Sequence, residues 1–506
     1  MRHVRRILAA TLIVALAGCT DDKPAEDPFA AFVAGWQRAD FTGVELRTTA
    51  GQPLAADAAR QLLADTEGDL GARRPVVTRH GKAAVRKDDA DVRAGVDWTL
   101  PDGRHWAYET KLEARRIDGK WAVYLGPAVV HPDLPDGKRM TLRSAAATRG
   151  VVLAADGTPI VSETPVVYVG VEPRLVRDVD ALVQRLDLVF RSVRVSVDVS
   201  ALPGRIKAAK PDAFVELVTL RQTDFAEIER DLAATDGVAT KTGTLSLPMT
   251  RTFGRALLGT SGPATKELID GSGGALKAGD ITGLTGLQRR YDVALRGTPK
   301  LEVLAGDKAG DKAGDKAGDK VLYTAPAADG ARVRTTIDVK TQQAAEAALA
   351  GTAKRSALVA VGVKDGTVLA AANGPDAAGY NLAFQAEVAS PPIGVDGGAA
   401  GFGAAWKLGA DMFTGRVTEA GVVGSPLVYA AAAAALARGH WRQPVLVTEP
   451  SPGPAAADGP AVTGTLTVPG MSVVVRGDVA YCVYVEGAGQ DVTGPIADAF
   501  GRSLSS

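Results

Sequence analysis

The chain is short of the residues that most often carry chemistry. Its 506 residues include five histidines, two cysteines and two asparagines, and aromatic side chains make up only 5%. With no HExxH pair and with Cys19 and Cys482 far apart, no zinc site of familiar spacing is present, and a disulfide framework is excluded. Lys+Arg and Asp+Glu are both 58, so the formal charge is zero and there is no basic excess to neutralise a phosphate backbone. Nucleic acid is therefore not expected as a partner, and no cofactor is expected. What remains is ordinary globular material, 46% hydrophobic and 23% charged, whose cores must rely on Ala, Val and Leu. At the usual domain size this length holds roughly three to four domains.

The first residues bear on compartment. Met1 to Arg6 is basic, and Ile7 to Leu16 is apolar but too short to span a bilayer as a mature helix. The run ends in Leu16-Ala17-Gly18-Cys19, the pattern of a bacterial lipobox, so residues 1–19 are expected to be a signal peptide with Cys19 as the lipidated residue. Two acyl chains on that cysteine would hold the protein on the outer face of the cytoplasmic membrane. An ordinary secretory signal that happens to contain a cysteine is the alternative.

Periodicity then organises the chain. Phe29, Phe32, Val33 and Trp36 recur at helical spacing. Trp106, Tyr108, Thr110 and Leu112 alternate toward Asp118-Gly119, and Trp121, Val123 and Leu125 alternate after it, which predicts a hairpin. Core packing explains these aromatics better than a ligand pocket does. A first domain is expected over 25–143 and a second, opening near Arg149-Gly150 with an Asp156-Gly157 turn, over 144–300. Ala-Gly-Asp-Lys repeats from Ala305 to Lys320 have nothing apolar to bury, so 301–324 is expected to be a linker or surface loop. The third domain, 325–506, holds an Ala-rich helix through Leu349 and a strand–turn–strand around Lys364-Asp365-Gly366. It continues with a helix started by Ser425-Pro426 and stopped at Gly439, a hairpin around Arg476-Gly477-Asp478, and a closing helix through Ile496, Phe500 and Leu504. Cys482 lies in a strand-like run as a small core residue.

Taken in order, these pieces resemble a class B penicillin-binding protein with a MecA-type N-terminal extension. The resemblance rests on Arg149 to Leu153 with Asp156-Gly157, Thr250 to Phe253, Ala256 to Gly259, Gly286 to Tyr291, Arg334 to Asp338, Ala357 to Val361, Ala371 to Asn373, Ser425 to Leu427 and Arg476 to Gly487. It implies a multidomain α+β protein: a nuclear-transport-factor-like cone domain, a pedestal (dimerisation) domain, and an α/β transpeptidase-like sheet domain. It also implies cell-wall work, with peptidoglycan or its synthesis proteins as partners and β-lactam response as a consequence. The family's reaction is D,D-transpeptidation. A serine made nucleophilic by the lysine of Ser-x-x-Lys does the chemistry, helped by Ser-x-Asn and by a Lys-Thr-Gly strand that binds the substrate carboxylate.

That apparatus is missing from the sequence. No lysine has a serine three residues before it, and Asn373 and Asn381 are preceded at the Ser-x-Asn distance by Ala371 and Gly379. Counting from Tyr380-Asn381 and Ser390-Pro391-Pro392, the nucleophile slot falls on Gly394 and the lysine slot on Gly397. Thr463, Gly464 and Thr465 are the expected remnant of the substrate-binding strand, but Val462 fills the lysine position. An intact Lys241-Thr242-Gly243-Thr244 lies in the pedestal region and reads as coincidence. Ser390, Ser425 and Ser472 have no lysine or histidine at motif spacing, and Ser425 suits a helix cap. The sequence thus predicts a truncated transpeptidase-like domain, its catalytic segment lost, in a chain without acyl-transfer activity. The alternative is an active D,D-transpeptidase that binds penicillin and uses a relocated nucleophile.

Overall fold

A computed structural model describes residues 27–192, 197–307, 319–377, 379–450 and 458–504. Cys19 and its flanking signal lie outside the described residues, as does most of the Ala-Gly-Asp-Lys repeat. The chain divides into two compact units, Met1–Ser144 with Leu301–Ala325, and Ala145–Lys300 with Pro326–Ser506. Among the described residues no helix is long and apolar enough to cross a membrane.

In the first unit the predicted amphipathic helix runs over Ala30–Arg38 and buries Phe32, Val33 and Trp36. The strands His105–Ile117 and Lys120–Leu125 pair antiparallel as the alternation around Asp118-Gly119 requires. They belong to a five-stranded sheet with Asp89–Thr99, Val76–Arg86 and Leu46–Thr48. Trp36, Trp98, Phe29 and Phe32 are all fully buried, so the aromatics are core. An ionisable group, Glu67, is fully buried in this interior. Glu67, at the end of the Ala56–Glu67 helix, accepts from Trp36 Nε1 at 2.9 Å and from Arg74 at 2.7 Å. Burial nevertheless outweighs both donors and pushes its carboxyl up to about 7.

The stretch expected to be a linker is different. Lys300–Gly306 and Lys320–Ala325 pair antiparallel, and the first of them also pairs with Arg139–Ala145. The charged repeat has no apolar residue larger than alanine, but its first alanine, Ala305, is buried in the first unit's core together with Leu301, Val303 and Ala325 on its flanks. The region is therefore a hairpin of the first unit rather than a connector between the second and third domains.

The boundary expected between the pedestal and the third domain is also bridged. Val333–Arg334 pairs parallel with Val152–Leu153, and Arg334 and Thr335 pair with Glu449 and Val447. One six-stranded sheet thus runs from the pedestal into the C-terminal half, and the two form a single unit. A four-stranded sheet follows, in the order Val368–Asn373, Ser356–Gly362, Val479–Val485, Met471–Arg476. Its two faces follow the period of two. Ala357, Val359 and Val361 pack under the Pro426–Arg438 helix, while Leu358 and Ala360 pack with Ala345, Leu349 and Phe500 of the helices on the other side. Proline at the first position starts the covering helix, alanines make it thin enough to be buried all round, and Gly439, left-handed at φ 89°, ends it. Val359 and Val361, on the face under that helix, are fully covered.

Candidate functional site

Gly394, read as the nucleophile position, and the Thr463–Thr465 stretch meet through their backbones. Gly394 has φ +77° and Gly464 φ +120°, conformations that favour glycine. A Cβ placed on Gly394 would lie 2.1 Å from the carbonyl oxygen of Thr465, and one on Gly464 would lie 2.3 Å from the carbonyl oxygen of Gly394. Beside them the N–H of Thr467 donates to the carbonyl of Ile393 at 3.0 Å. At Gly394 the Thr463–Thr465 segment thus stands where a side chain would begin. That segment is not a strand. It precedes Met471–Arg476, which forms the edge of the sheet, and the φ of Gly464 turns the backbone away from extended pairing. The expected substrate-binding strand is corrected accordingly.

The lysine slot faces apolar neighbours. A Cβ on Gly397 would stand 2.9 Å from Val422 and 3.1 Å from Val417. Val462, in the other lysine position, is 2% exposed within the main core of its unit. An amine buried at either place would lose its hydration.

Other hydroxyls are engaged elsewhere. Ser425 stands at the start of its helix but does not cap it: its Oγ donates to the carbonyl of Phe413 at 3.1 Å. Ser472 shares a hydrogen bond with Thr493 at 2.8 Å. Ser390 is buried and its Oγ has no hydrogen-bond partner, hence no base to take its proton. Cys482 is fully buried, and burial pushes its thiol up, away from thiolate chemistry. Lys241, in the intact Lys-Thr-Gly-Thr, sits over the ring of Phe214 at 4.3 Å on the Val238–Pro248 strand of the pedestal. Among the described residues no group of three or more His, Cys, Asp or Glu could hold a metal ion.

A cavity of about 590 Å³ lies where the Thr250–Arg255 loop meets the Val339–Leu349 helix and the end of the Val368–Asn373 strand. Its carboxylate, Glu346, is already bound: it accepts from the N–H of Gly254 and from Gln342 Nε2, each at 2.7 Å. The cavity shares no lining residue with the Gly394–Gly464 contact.

The best-built polar cluster is structural. Arg149 Nη1 donates to Asp292 at 2.8 Å and Nη2 to the carbonyl of Gln288 at 3.3 Å. Asp292 also accepts from Thr282 Oγ1 at 2.7 Å and from the N–H of Gly283 at 2.6 Å. Next to Arg149, Gly150 leaves room for the carbonyl of Ala331, which a Cβ would meet at 2.0 Å. The Arg-Gly pair and the Gly286–Tyr291 stretch, read in the sequence as separate landmarks, are thus two sides of one latch. Asp292 was not singled out from sequence, although it directly follows that second landmark.

Comparison with known families agrees with this architecture. Residues 24–138 match the NTF2-like N-terminal transpeptidase domain, and residues 144–333 match the penicillin-binding protein dimerisation domain. The chain is a class B penicillin-binding-protein-like protein. No curated protein matches it. The matched dimerisation stretch of this penicillin-binding-protein-like chain begins just before the Arg149 latch and takes in the hairpin that folds with the first unit. The fold is accordingly a multidomain α+β assembly.

Proposed function

We propose that this penicillin-binding-protein-like chain is a lipid-anchored, extracytoplasmic component of peptidoglycan synthesis that binds or scaffolds without transferring acyl groups. The Gly394–Gly464 contact carries the reading. Acyl transfer needs a reacting carbonyl about 3 Å from both a nucleophile and its oxyanion donors; Gly394, read as the nucleophile position, offers no hydroxyl, and its backbone lies against that of Thr465. The absence of any Ser-x-x-Lys in the sequence supports the same conclusion. The anchor rests on Leu16-Ala17-Gly18-Cys19 and would place the chain beside wall-precursor and wall-synthesis partners.

Incubation of the purified protein with a fluorescent penicillin is the test. No covalent band is expected after denaturation, and a stoichiometric adduct on a serine would establish an active transpeptidase instead. Lipidation is checked by mass spectrometry of the mature N-terminus, where a diacylglyceryl group on Cys19 is expected and an unmodified cleaved terminus would remove the anchor.

A further inference from the structure

In the pedestal, the end of the Val215–Arg221 strand, the start of the Gln222–Ala233 helix and the Thr250–Arg255 loop border a second cavity, of about 330 Å³. Three of its lining side chains are guanidiniums and one is a carboxylate: Arg221, Arg251 and Arg255 against Asp224. Arg251 is paired with Asp224 at 2.7 Å. Arg221 is half-buried, and its Nη2 donates to the carbonyl of Pro248 at 2.6 Å, a neutral partner. Burial disfavours its charged form, as does the positive Arg251 beside it, and Asp224 offsets them only in part. Arg255 is exposed and, among the described residues, its guanidinium has neither a hydrogen bond nor an ion pair. Glu346, in the adjoining cavity that Arg255 also lines, is held by the N–H of Gly254 and by Gln342 instead.

We propose that this cavity binds a phosphate-type dianion, a phosphomonoester or a diphosphate, between Arg221, Arg251 and Arg255. Asp224 cancels one of the three positive charges, so two remain for a ligand to match. A single carboxylate would leave one of them unmatched. Arg221 and Arg251 are already held by Pro248 and Asp224, so little side-chain freedom is lost when an anion arrives. The planar N–H fork of a guanidinium suits a pair of phosphoryl oxygens. Leu245, Leu247 and Pro248 supply an apolar wall that lowers the local dielectric and strengthens the attraction. Soluble phosphate compounds and lipid headgroups both carry such a group, and the test separates them. The inference goes beyond the function proposed above and stands whether or not the chain transfers acyl groups.

The test uses the full chain carrying Cys19→Ser, titrated calorimetrically with inorganic pyrophosphate at low ionic strength. Saturable binding at one site is expected, and Arg255→Gln should weaken it at least about tenfold. That guanidinium has no partner in the fold, so the variant's melting temperature should be unchanged. Asp224→Asn removes the one opposing carboxylate and should tighten binding severalfold, an effect that a merely structural role for Asp224 would not produce. Acetate at the same concentrations should not bind. Cosedimentation with phosphatidylcholine vesicles containing phosphatidic acid then assigns the source. Binding above that to phosphatidylcholine alone, lost in Arg255→Gln, marks a lipid-borne phosphate; pyrophosphate binding without it marks a soluble one. No pyrophosphate binding overturns the proposal, as does binding that Arg255→Gln leaves unchanged.

Discussion

The Arg149 latch and the Gly394–Gly464 contact lie in the same compact unit and solve opposite problems. At the latch, a buried guanidinium and carboxylate bond to one another and to the surrounding backbone, so each residue is needed for its side chain. At the contact, two glycines let main chain approach main chain, and each is needed for having no side chain. The first arrangement is held by interlocking polar bonds between side chains, the second by close approach of two stretches of main chain.

This contrast can be broken at its strongest point first. Arg149→Ala should strand Asp292 and cost about 3–5 kcal/mol in chemical denaturation; a loss below about 1 kcal/mol would mean that the latch is incidental. A buried carboxylate with fewer donors sharpens the point. Glu67 holds its proton up to about 7, against 4.5 ordinarily, so the folded state binds that proton more tightly than the unfolded chain. The associated stability is present below about pH 4.5 and is lost as pH rises toward 7, on the order of 3 kcal/mol. Glu67→Gln should flatten that slope in a denaturation series run across the window.

At the contact, Gly394→Ser puts a hydroxyl at position 394 but must force a left-handed backbone against the Thr465 carbonyl. A loss of about 2 kcal/mol or more is expected, with no gain of penicillin labelling. A stable, labelled variant would show the slot to be open. The smallest effect is expected from Ser425→Ala, which leaves only the Phe413 carbonyl without its donor and should cost about 1 kcal/mol in melting experiments.

Local patterning was legible in the sequence. The Phe29–Trp36 spacing, the alternation about Asp118-Gly119 and the turn at Arg476-Gly477-Asp478 all appear as the helix and hairpins they predict. Pairings over long sequence separations were not. The bond from Thr335 to Leu153 spans 182 residues, and no local signal announces that a pedestal strand continues into a later domain. The charged repeat misled for a related reason: its own composition is that of a loop, while Leu301, Val303 and Ala325 on either side belong to a core. Ser425 shows the same limit at the scale of one atom, since its position at a helix start was readable but its bond to Phe413 was not.

The sequence by itself determined which elements form and which motif spacings occur, because periodicity, turn residues and the spacing of one residue from the next are properties of neighbours along the chain. Only the tertiary structure decided that Gly394 meets Gly464, that the Pro426–Arg438 helix covers the sheet face, and that Arg149 finds Asp292. Each of those depends on close packing and on satisfying buried polar groups among residues distant in sequence, and those demands arise only once the chain has folded.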